Sequence, residues 1–389
     1  MIPVEEATRR LLALAGPLPA ENVPLAQAAG RWMAGPVTAR RDQPPFDASA
    51  MDGYAVFGPA PAGASFRVVG EAGAGHAFPG SVSPGDCIRI FTGAPLPPGT
   101  DRVVIQENVR RDGDRITVLE EERATHVRVR GQDFAEGAAL APRRLRPADL
   151  ALIAAMNVPQ VPVARRPVVA LIGTGDELVQ PGEDPRPDQI VASNAFALKA
   201  LAEGEGAEVR VLPVARDNEP ALRTVLALAE GADVVVTIGG ASVGDHDLVG
   251  RVLAAEGMDF AFWKIALRPG KPLMAGRLRG AVVLGLPGNP VSAIVCGHLF
   301  LLPLLRHLQG DPAPLPRLRP ARAGADLAEN GPRSHYMRAR LSEDGTTLTP
   351  FGPQDSALLT LLTEADALLL RPAGDVARKA GDPVTYLPL

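Results

Sequence analysis

The sequence of 389 residues is poor in cysteine and carries no excess of positive charge, and each shortage excludes a class of protein. Cys87 and Cys296 are its only cysteines, too few for a disulfide framework or a cysteine-rich zinc site. We expect both to be buried, reduced thiols. The formal net charge of −4 argues against general binding to nucleic acid or to a membrane surface. An anionic ligand stays open, because a local group of cations and backbone N–H groups can bind one.

Targeting and membrane signals are also missing. The first ten residues lack the basic start and apolar run that are typical of a signal peptide. No uninterrupted apolar run reaches the roughly 18 residues of a membrane-spanning helix. We therefore expect a cytoplasmic protein without a membrane partner.

What the sequence does contain is enough apolar residues for more than one core. The hydrophobic share is 46%, and 389 residues exceed the usual length of one domain. Glycine (40) and proline (39) are frequent, which indicates many turns and rigid loops. Their sum stays below the range that suggests disorder.

The apolar pattern divides the chain into three blocks. Residues 3–15 and 147–157 have helical patterns, whereas short β-type runs between residues 38 and 140 predict an all-β module. Residues 158–166 read as a proline-rich connection. The expected domains are 1–166 with an inserted β-rich part at about 50–140, then 167–310, then 311–389, which begins with a proline-rich linker at 312–320.

The middle block alternates strands and helices, which predicts a parallel sheet covered on both faces. The predicted strands are Val168–Ile172, Glu208–Pro213, Asp233–Ile238 and Ala281–Gly285, and the predicted helices lie near 194–204, 219–229 and 247–256. Ligands of such sheets bind beyond the carboxyl ends of the strands. Polar loops fall at those ends here, so they are the first indication of function.

Several of these loops suit an anion. Glycines and two carboxylates follow the first strand at 173–178, and a glycine-rich loop at 239–247 could bind phosphate through its N–H groups. Asn289 and Pro290 suit the start of a helix, whose positive end favours an anion. Arg268 and Lys271 flank a Pro-Gly turn nearby. Each feature alone is also explained as an ordinary turn or cap, but together they favour a ligand that contains phosphate.

The first block adds further polar loops. Asp47 and Asp52 flank small residues in a segment without a regular period. Residues 92–94 supply a hydroxyl, and residues 128–133 supply two cations and another carboxylate. Taken from the residues alone, these patterns predict an anion-binding α/β enzyme with additional β domains, and no more.

An ordered set of short motifs resembles the MoeA family of molybdopterin molybdenumtransferases, which includes the E domain of gephyrin. The motifs are SAMDGYA (49–55), TGAPLP (92–97), TGDEL (174–178), GGASVG (239–244), PGKP (269–272) and GLPGNPVSA (285–293). Each is short, but their order is specific and spans nearly the whole chain.

The resemblance implies a multidomain α/β plus β fold. It consists of a central molybdopterin-binding α/β domain with a parallel-type sheet, an inserted β-rich domain and a small C-terminal β domain. It implies a homodimer of elongated protomers. It also implies a reaction in which adenylyl-molybdopterin and molybdate give molybdenum-loaded molybdopterin and AMP, with Mg²⁺ as the divalent cation. The partners we expect are molybdopterin adenylyltransferase and proteins that mature molybdoenzymes.

The resemblance also assigns site residues by motif. The catalytic set is Asp52, Thr92, Asp133, Glu177, Asp217 and Asp247. The magnesium ligands are expected among the carboxylates Asp52, Glu177, Asp217 and Asp247. The substrate-binding set, in which the loop residues also follow from the anion-suited pattern, is Gly239, Gly240, Ser242, Gly244, Arg268, Lys271, Pro287, Gly288, Asn289, Arg338 and Ser356.

Three positions depart from the family pattern. Ala48 stands where Asn is common, Gln132 where Glu is common, and Arg268 where Lys is common. The glutamine removes a charge that could affect the affinity for metal or molybdate. Arg268 keeps its charge and can hold an oxyanion with two hydrogen bonds.

Two alternatives belong to other classes. The chain could be a dimeric scaffold that binds partner peptides, as the gephyrin E domain does, or an adenylyltransferase-like enzyme that shares the α/β domain. The retained carboxylates favour an enzyme over a scaffold. The β-rich first and last blocks argue against the adenylyltransferase.

Overall fold

The computed structural model describes residues 1–240 and 248–389. The chain forms two compact units. The first consists of Met1–Glu21 and Ala164–Leu389, and the second of Asn22–Val163. The division of the sequence at 166 and 310 into three domains stays a proposal.

The described residues contain eight α-helices: α1 Val4–Leu12, α2 Pro147–Ala155, α3 Asn194–Gly204, α4 Glu219–Leu228, α5 Leu248–Ala255, α6 Pro290–Cys296, α7 Leu302–Leu308 and α8 Leu359–Thr363. Helices α6 and α7 are joined by a π-helical stretch, Gly297–Leu301.

The strands of the second unit and its borders are β1 Ala20–Pro24, β2 Val37–Thr38, β3 Ala48–Ser49, β4 Gly53–Val56, β5 Ser65–Ala72, β6 Asp86–Ile90, β7 Arg102–Ile105, β8 Val109–Asp112, β9 Arg115–Val118, β10 Val127–Arg128, β11 Ala139–Leu140 and β12 Gln160–Ala164. Those of the first unit are β13 Val168–Gly173, β14 Leu178–Val179, β15 Ile190–Val191, β16 Glu208–Val211, β17 Val234–Ile238, β18 Asp259–Trp263, β19 Leu267–Arg268, β20 Met274–Leu278, β21 Ala281–Leu286, β22 Arg319–Ala323, β23 Ser334–Leu341, β24 Thr347–Pro350, β25 Ala367–Arg371 and β26 Pro383–Pro388.

The central sheet of the first unit has the strand order β16-β13-β17-β21-β20-β18. The four predicted strands β16, β13, β17 and β21 are parallel neighbours, as expected. The sheet is mixed, because β20 pairs antiparallel with both β21 and β18. A tight β20–β21 hairpin with Gly280 at φ +92° makes this reversal, a local device that the strand-helix alternation does not reveal.

Apolar residues on alternate positions of each strand enter two separate cores. On β17, Val234 and Val236 face the core formed with α3, α6 and α7, whereas Val235 faces the core formed with α4 and α5. This two-sided burial explains the continuous apolar strands of the sequence. It also leaves only the strand ends free for a ligand.

The helix that begins at Pro290 runs to Leu308 and is the only one of the described part with the length and apolarity of a membrane span. Its mean hydropathy is 1.6, but 78% of it is buried inside the protein. Val295, Phe300 and Leu304 belong to the core under the central sheet. This is the behaviour of a core helix.

The C-terminal part of the first unit is a small barrel. The strands follow the order β19-β23-β24-β22-β26-β25, and β25 returns to pair with β23. Ala339, Leu348 and Leu369 fill its interior. The closed ring leaves few free edges and confirms the β-rich block predicted after residue 320.

The second unit confirms the predicted β-rich module. Its main sheet has the order β7-β4-β6-β5-β9-β8. The segment 47–55, which shows no period in the sequence, contains the short strands β3 and β4. The proline-rich connection predicted at 158–166 contains strand β12, which pairs with β1. Pro162 has no N–H to donate, but its carbonyl accepts from Ala34 N–H at 3.0 Å.

Candidate active site

A cleft of about 660 Å³ opens at the carboxyl edge of the central sheet. Its walls come from the loops after β13, β17 and β21, the β14–β15 ribbon, the start of α3, and a loop of the C-terminal barrel. The lining residues are Gly173, Thr174, Glu177, Leu178, Ile190, Val191, Ala192, Ser193, Asn194, Ala195, Ile238, Gly239, Gly240, Pro272, Pro287, Gly288, Asn289, Pro290, Ala357 and Leu359. The cleft therefore lies where ligands of doubly covered sheets bind.

Close packing of backbone forms the floor of the cleft. Gly239 has φ +94°, its N–H donates to Leu286 O at 3.0 Å, and a Cβ there would lie 2.8 Å from Thr174 O. Thr174 N–H in turn donates to Ile238 O at 3.0 Å. Gly240 follows with φ +63°. Only glycine fits this turn, so backbone atoms and no side chain line the cleft here.

Two helices begin at the cleft. Ser193 and Asn194 start α3, and Asn289 and Pro290 start α6. The side chain of Asn194 donates to Gly288 O at 2.6 Å and so ties the two starts together. Helix N-termini favour anions through their free N–H groups and their dipoles. Neither Ser193 nor Asn289 caps its helix with its own side chain.

The start of α6 is already partly satisfied from within the protein. Val291 N–H donates to Ser356 O at 3.1 Å. Asn289 stands at the predicted cap position, but its side chain donates to the Ser356 hydroxyl at 3.0 Å instead of capping the helix. The α3 start is therefore the freer of the two for a ligand.

Carboxylates follow strand β13. Glu177 lines the cleft, and its carboxylate folds back over Gly175, where a Cβ would lie 2.3 Å from Oε2. Asp176 accepts a hydrogen bond from Asp217 N–H at 3.2 Å, so Asp217 lies beside this loop without lining the cleft. The contact depends on Gly175, whose φ of +145° lets the chain turn here.

Cations lie on the barrel side of the sheet. Arg268 is exposed on β19 and pairs in register with His335, and Lys271 is partly exposed after the turn. Burial, and after it the charges of nearby arginines with Arg268 first, lowers the pKa of His335 to about 4. The imidazole is therefore neutral at neutral pH, and Arg268 and Arg333 supply the local positive charge.

Arg338 is placed differently from these exposed cations. Its side chain is only 1% exposed. Its guanidinium donates to Leu358 O at 2.9 Å and to Pro353 O at 3.4 Å. Both carbonyls belong to the barrel loop that carries Ser356. Burial lowers the pKa of Arg338, and Asp355 opposes this effect.

The predicted residues of the first block lie in the second unit. Asp52 accepts hydrogen bonds from Thr92 N and Thr92 Oγ1, both at 2.8 Å. These bonds, the backbone one first, lower the pKa of Asp52, and Arg89 adds a smaller Coulombic effect. Asp133 begins the turn that pairs with Gln43, where its N–H donates to Gln43 O at 2.9 Å.

The cleft thus contains a defined subset of the predicted site. It brings together Glu177, Gly239, Gly240, Pro287, Gly288 and Asn289. Asp217, Arg268, Lys271, Arg338 and Ser356 belong to the same unit without lining it. Ser242, Gly244 and Asp247 lie outside the described residues.

Most residues of one wall of the cleft were not predicted from the sequence. Leu178, Ile190 and Val191 come from two-residue strands, and Ala357 and Leu359 come from the barrel. The start of α3 was recognisable, because a helix predicted at 194–204 had to begin near the ligand edge. Asn194 at its first position is the signal that could have been used.

No group of three His, Cys, Asp or Glu side chains with metal-ligand spacing occurs in residues 1–240 and 248–389. Mg²⁺ is commonly held by one or two carboxylates together with water and substrate phosphates, so it does not need such a group. Glu177 at the cleft supplies an oxygen donor of the right kind. Among the proposed ligands, Glu177 is therefore the cleft residue that would hold Mg²⁺.

Comparisons with known proteins cover these same regions. Three family models match in order: the MoeA N-terminal region (domains I and II) at 2–157, a probable molybdopterin binding domain at 170–307, and the MoeA C-terminal region (domain IV) at 320–389. A protein of Nostoc sp. named molybdopterin molybdenumtransferase is 37% identical over 388 residues, covering 95% of this chain and 88% of the relative. Molybdopterin molybdenumtransferase 2 of Mycobacterium tuberculosis is 35% identical, with coverage of 92% and 93%.

Solved structures agree with the sequence relatives. The molybdopterin biosynthesis MoeA protein from Pyrococcus horikoshii matches with a TM-score of 0.85 and 29% identity, over 100% of this chain and 99% of that one. The fold and the cleft define a multidomain protein built around a molybdopterin-binding type of α/β domain. The chain belongs to the MoeA family.

Proposed function

We propose that the protein inserts molybdenum into molybdopterin, converting adenylyl-molybdopterin and molybdate into molybdenum-loaded molybdopterin and AMP. The observation that carries this proposal is the cleft at the edge of the central sheet. It combines a tight glycine turn, two helix starts and the Glu177 carboxylate in a family whose named members are molybdenumtransferases. Its volume is within the range of small-molecule sites.

In this mechanism the chain mainly orients the phosphates. The backbone N–H of Gly240 and the free end of α3 hold phosphate oxygens, because N–H groups and the helix dipole favour negative charge there. The apolar wall of Leu178, Ile190 and Val191 excludes water from one side of the substrate. Fixed orientation of the phosphoanhydride lowers the entropic part of the barrier to its cleavage.

Glu177, with Asp217, Asp247 and Asp52 as further candidates, would hold Mg²⁺, which when bound offsets the charge that develops on the cleaved phosphate. Molybdate is a substrate and needs cations of its own. Arg268 and Lys271 are exposed enough to attract it, and Arg268 can form two parallel hydrogen bonds to an oxyanion.

We further propose a cytoplasmic homodimer that receives its substrate from molybdopterin adenylyltransferase and passes its product to proteins that mature molybdoenzymes. We also propose that each active site is shared between two chains, which can be tested by mixing tagged Asp52→Asn and Glu177→Gln chains that are each inactive alone. If each site combines these residues from different chains, the heterodimer has one intact site and about half the wild-type activity. If each site takes both residues from one chain, the purified heterodimer is inactive.

Release of AMP from adenylyl-molybdopterin is the decisive assay for the activity. We expect molybdate to accelerate release, with no consumption of ATP. Stoichiometric hydrolysis of ATP would instead indicate an enzyme of the adenylylating type. A folded protein that binds partner peptides and releases no AMP would indicate a scaffold.

A further inference from the structure

A loop of the C-terminal barrel, residues 351–359, contributes directly to the cleft. Ala357 and Leu359 line it. Ser356 contacts α6 twice, accepting from Val291 N–H at 3.1 Å and from the Asn289 side chain at 3.0 Å. The position of this loop therefore decides which N–H groups of α6 are available and how far the cleft opens.

Arg338 on β23 and Gln354 within the loop hold the loop against the barrel. Arg338 donates from Nη1 to Leu358 O and from Nη2 to Pro353 O, and so joins the two ends of the loop. The side-chain oxygen of Gln354 accepts from Arg338 N–H at 3.0 Å. The nitrogen of the same amide donates to Arg338 O at 3.1 Å and to Phe351 O at 2.7 Å. Gln354 thus pairs with strand β23 as an additional strand residue would.

We propose that Arg338 and Gln354 are positioning residues that fix the cleft through the 351–359 loop, and that Arg338 does not itself touch the substrate. The side chain of Arg338 is buried, and both terminal nitrogens of its guanidinium donate to loop carbonyls. A cation that binds an anionic ligand needs a donor facing the ligand, as Arg268 on the surface has. This proposal rests on the proposed function only in the kinetic measurements, where adenylyl-molybdopterin is the substrate.

The shape of the guanidinium matters more than its charge in this arrangement. A planar fork reaches two carbonyls at once, whereas an ammonium group is a point donor. Arg338→Lys keeps the charge and should still behave almost like Arg338→Met. Had Arg338 served as a charge for the substrate phosphate or for molybdate, lysine would largely restore function.

Hydrogen–deuterium exchange of the free protein tests the role of the loop without any substrate. In Arg338→Met, Arg338→Lys and Gln354→Leu, amides in peptides covering 287–296 and 351–359 should exchange at least about tenfold faster, because Val291 loses its acceptor. The matched control is Arg371→Met. Arg371 is also buried, on the neighbouring strand β25, but it donates to Ala328 O, Val376 O and the Asp375 carboxylate, all outside the 351–359 loop. This control should be less stable yet leave exchange at 287–296 unchanged.

Kinetics provide the second readout. We expect KM for adenylyl-molybdopterin to rise about tenfold in the Arg338 variants, with kcat within about twofold of wild type. The double variant of Arg338→Met and Gln354→Leu should raise KM by less than the product of the single effects, because both residues act through one loop. A double variant whose increase in KM equals the product of the two single increases would contradict the proposal.

Two further outcomes would overturn it. One is a loss of substrate affinity in Arg338→Met with unchanged exchange at 287–296. The other is a normal KM in Arg338→Lys. A wild-type protein that releases no AMP would refute the proposed function instead, and the exchange experiment would still decide whether Arg338 and Gln354 position the loop.

Discussion

The glycine at the end of β17 offers a sharp test of the cleft. Gly239 has φ +94°, and an alanine Cβ there would meet Thr174 O at 2.8 Å and Thr174 Oγ1 at 3.1 Å. A left-handed backbone costs an ordinary residue about 1–2 kcal/mol. The close contact must be relieved by moving the turn away from Thr174, which weakens the bond from Gly239 N–H to Leu286 O.

Gly231 provides a matched control just before the same strand. Its φ is +80°, and nothing lies within 4 Å of an added Cβ. Gly231→Ala should therefore cost only the backbone strain, about 1–2 kcal/mol. Gly239→Ala should cost about 1 kcal/mol more, which is a typical penalty for a crowded substitution in a packed site.

Urea denaturation of both variants measures the difference in unfolding free energy, and titration with adenylyl-molybdopterin measures affinity. We expect about a tenfold loss of affinity for Gly239→Ala, equal to about 1.4 kcal/mol, and none for Gly231→Ala. Equal destabilisation of the two variants, with equal affinity, would refute the view that close packing at Gly239 forms the phosphate floor.

Three further predictions concern the other polar groups. Asp52→Asn should fold normally and lose Mg²⁺-dependent AMP release; near-normal turnover would remove Asp52 from the mechanism. Thr92→Val should raise the pKa of Asp52 part of the way to its ordinary value, because it removes the hydrogen bond from Thr92 Oγ1 and keeps the one from the backbone N–H. Because the pKa of Asp52 is lower in the folded protein than in the unfolded chain, the ionised carboxylate contributes its full stabilisation above the unfolded-state pKa. This stabilisation is lost as pH falls through the folded-state pKa. The acid limb of the kcat/KM profile should therefore move to higher pH in Thr92→Val, and an unmoved limb would exclude Asp52 as the titrating group. Lys271→Glu should weaken molybdate binding while changing stability by less than about 0.5 kcal/mol; unchanged affinity would indicate a merely solvated turn.

Much of the fold could be predicted because its signals are local. The strands that became β13, β17 and β21 are continuous apolar runs, and α3 spans the predicted 194–204. Parallel strands align their carboxyl ends, so the positions of Glu177 and Gly239 at one edge followed from the pattern. The reversal at β20 could not be inferred in this way, because a hairpin turn changes direction without changing the apolar pattern.

The missed part of the cleft consists of contacts between distant segments. Ser356 reaches Asn289 across 67 residues, and no periodicity records that pairing. Local rules correctly placed Asn289 at the start of a helix, where its side chain would normally accept from the first turn. In the folded protein the Asn289 side chain donates to the Ser356 hydroxyl, and Val291 N–H donates to the Ser356 carbonyl. The barrel loop thus contacts the start of α6, which the sequence alone predicts as a phosphate site. The start of α3 is the freer anion site, because the Ser193 side chain does not cap that helix.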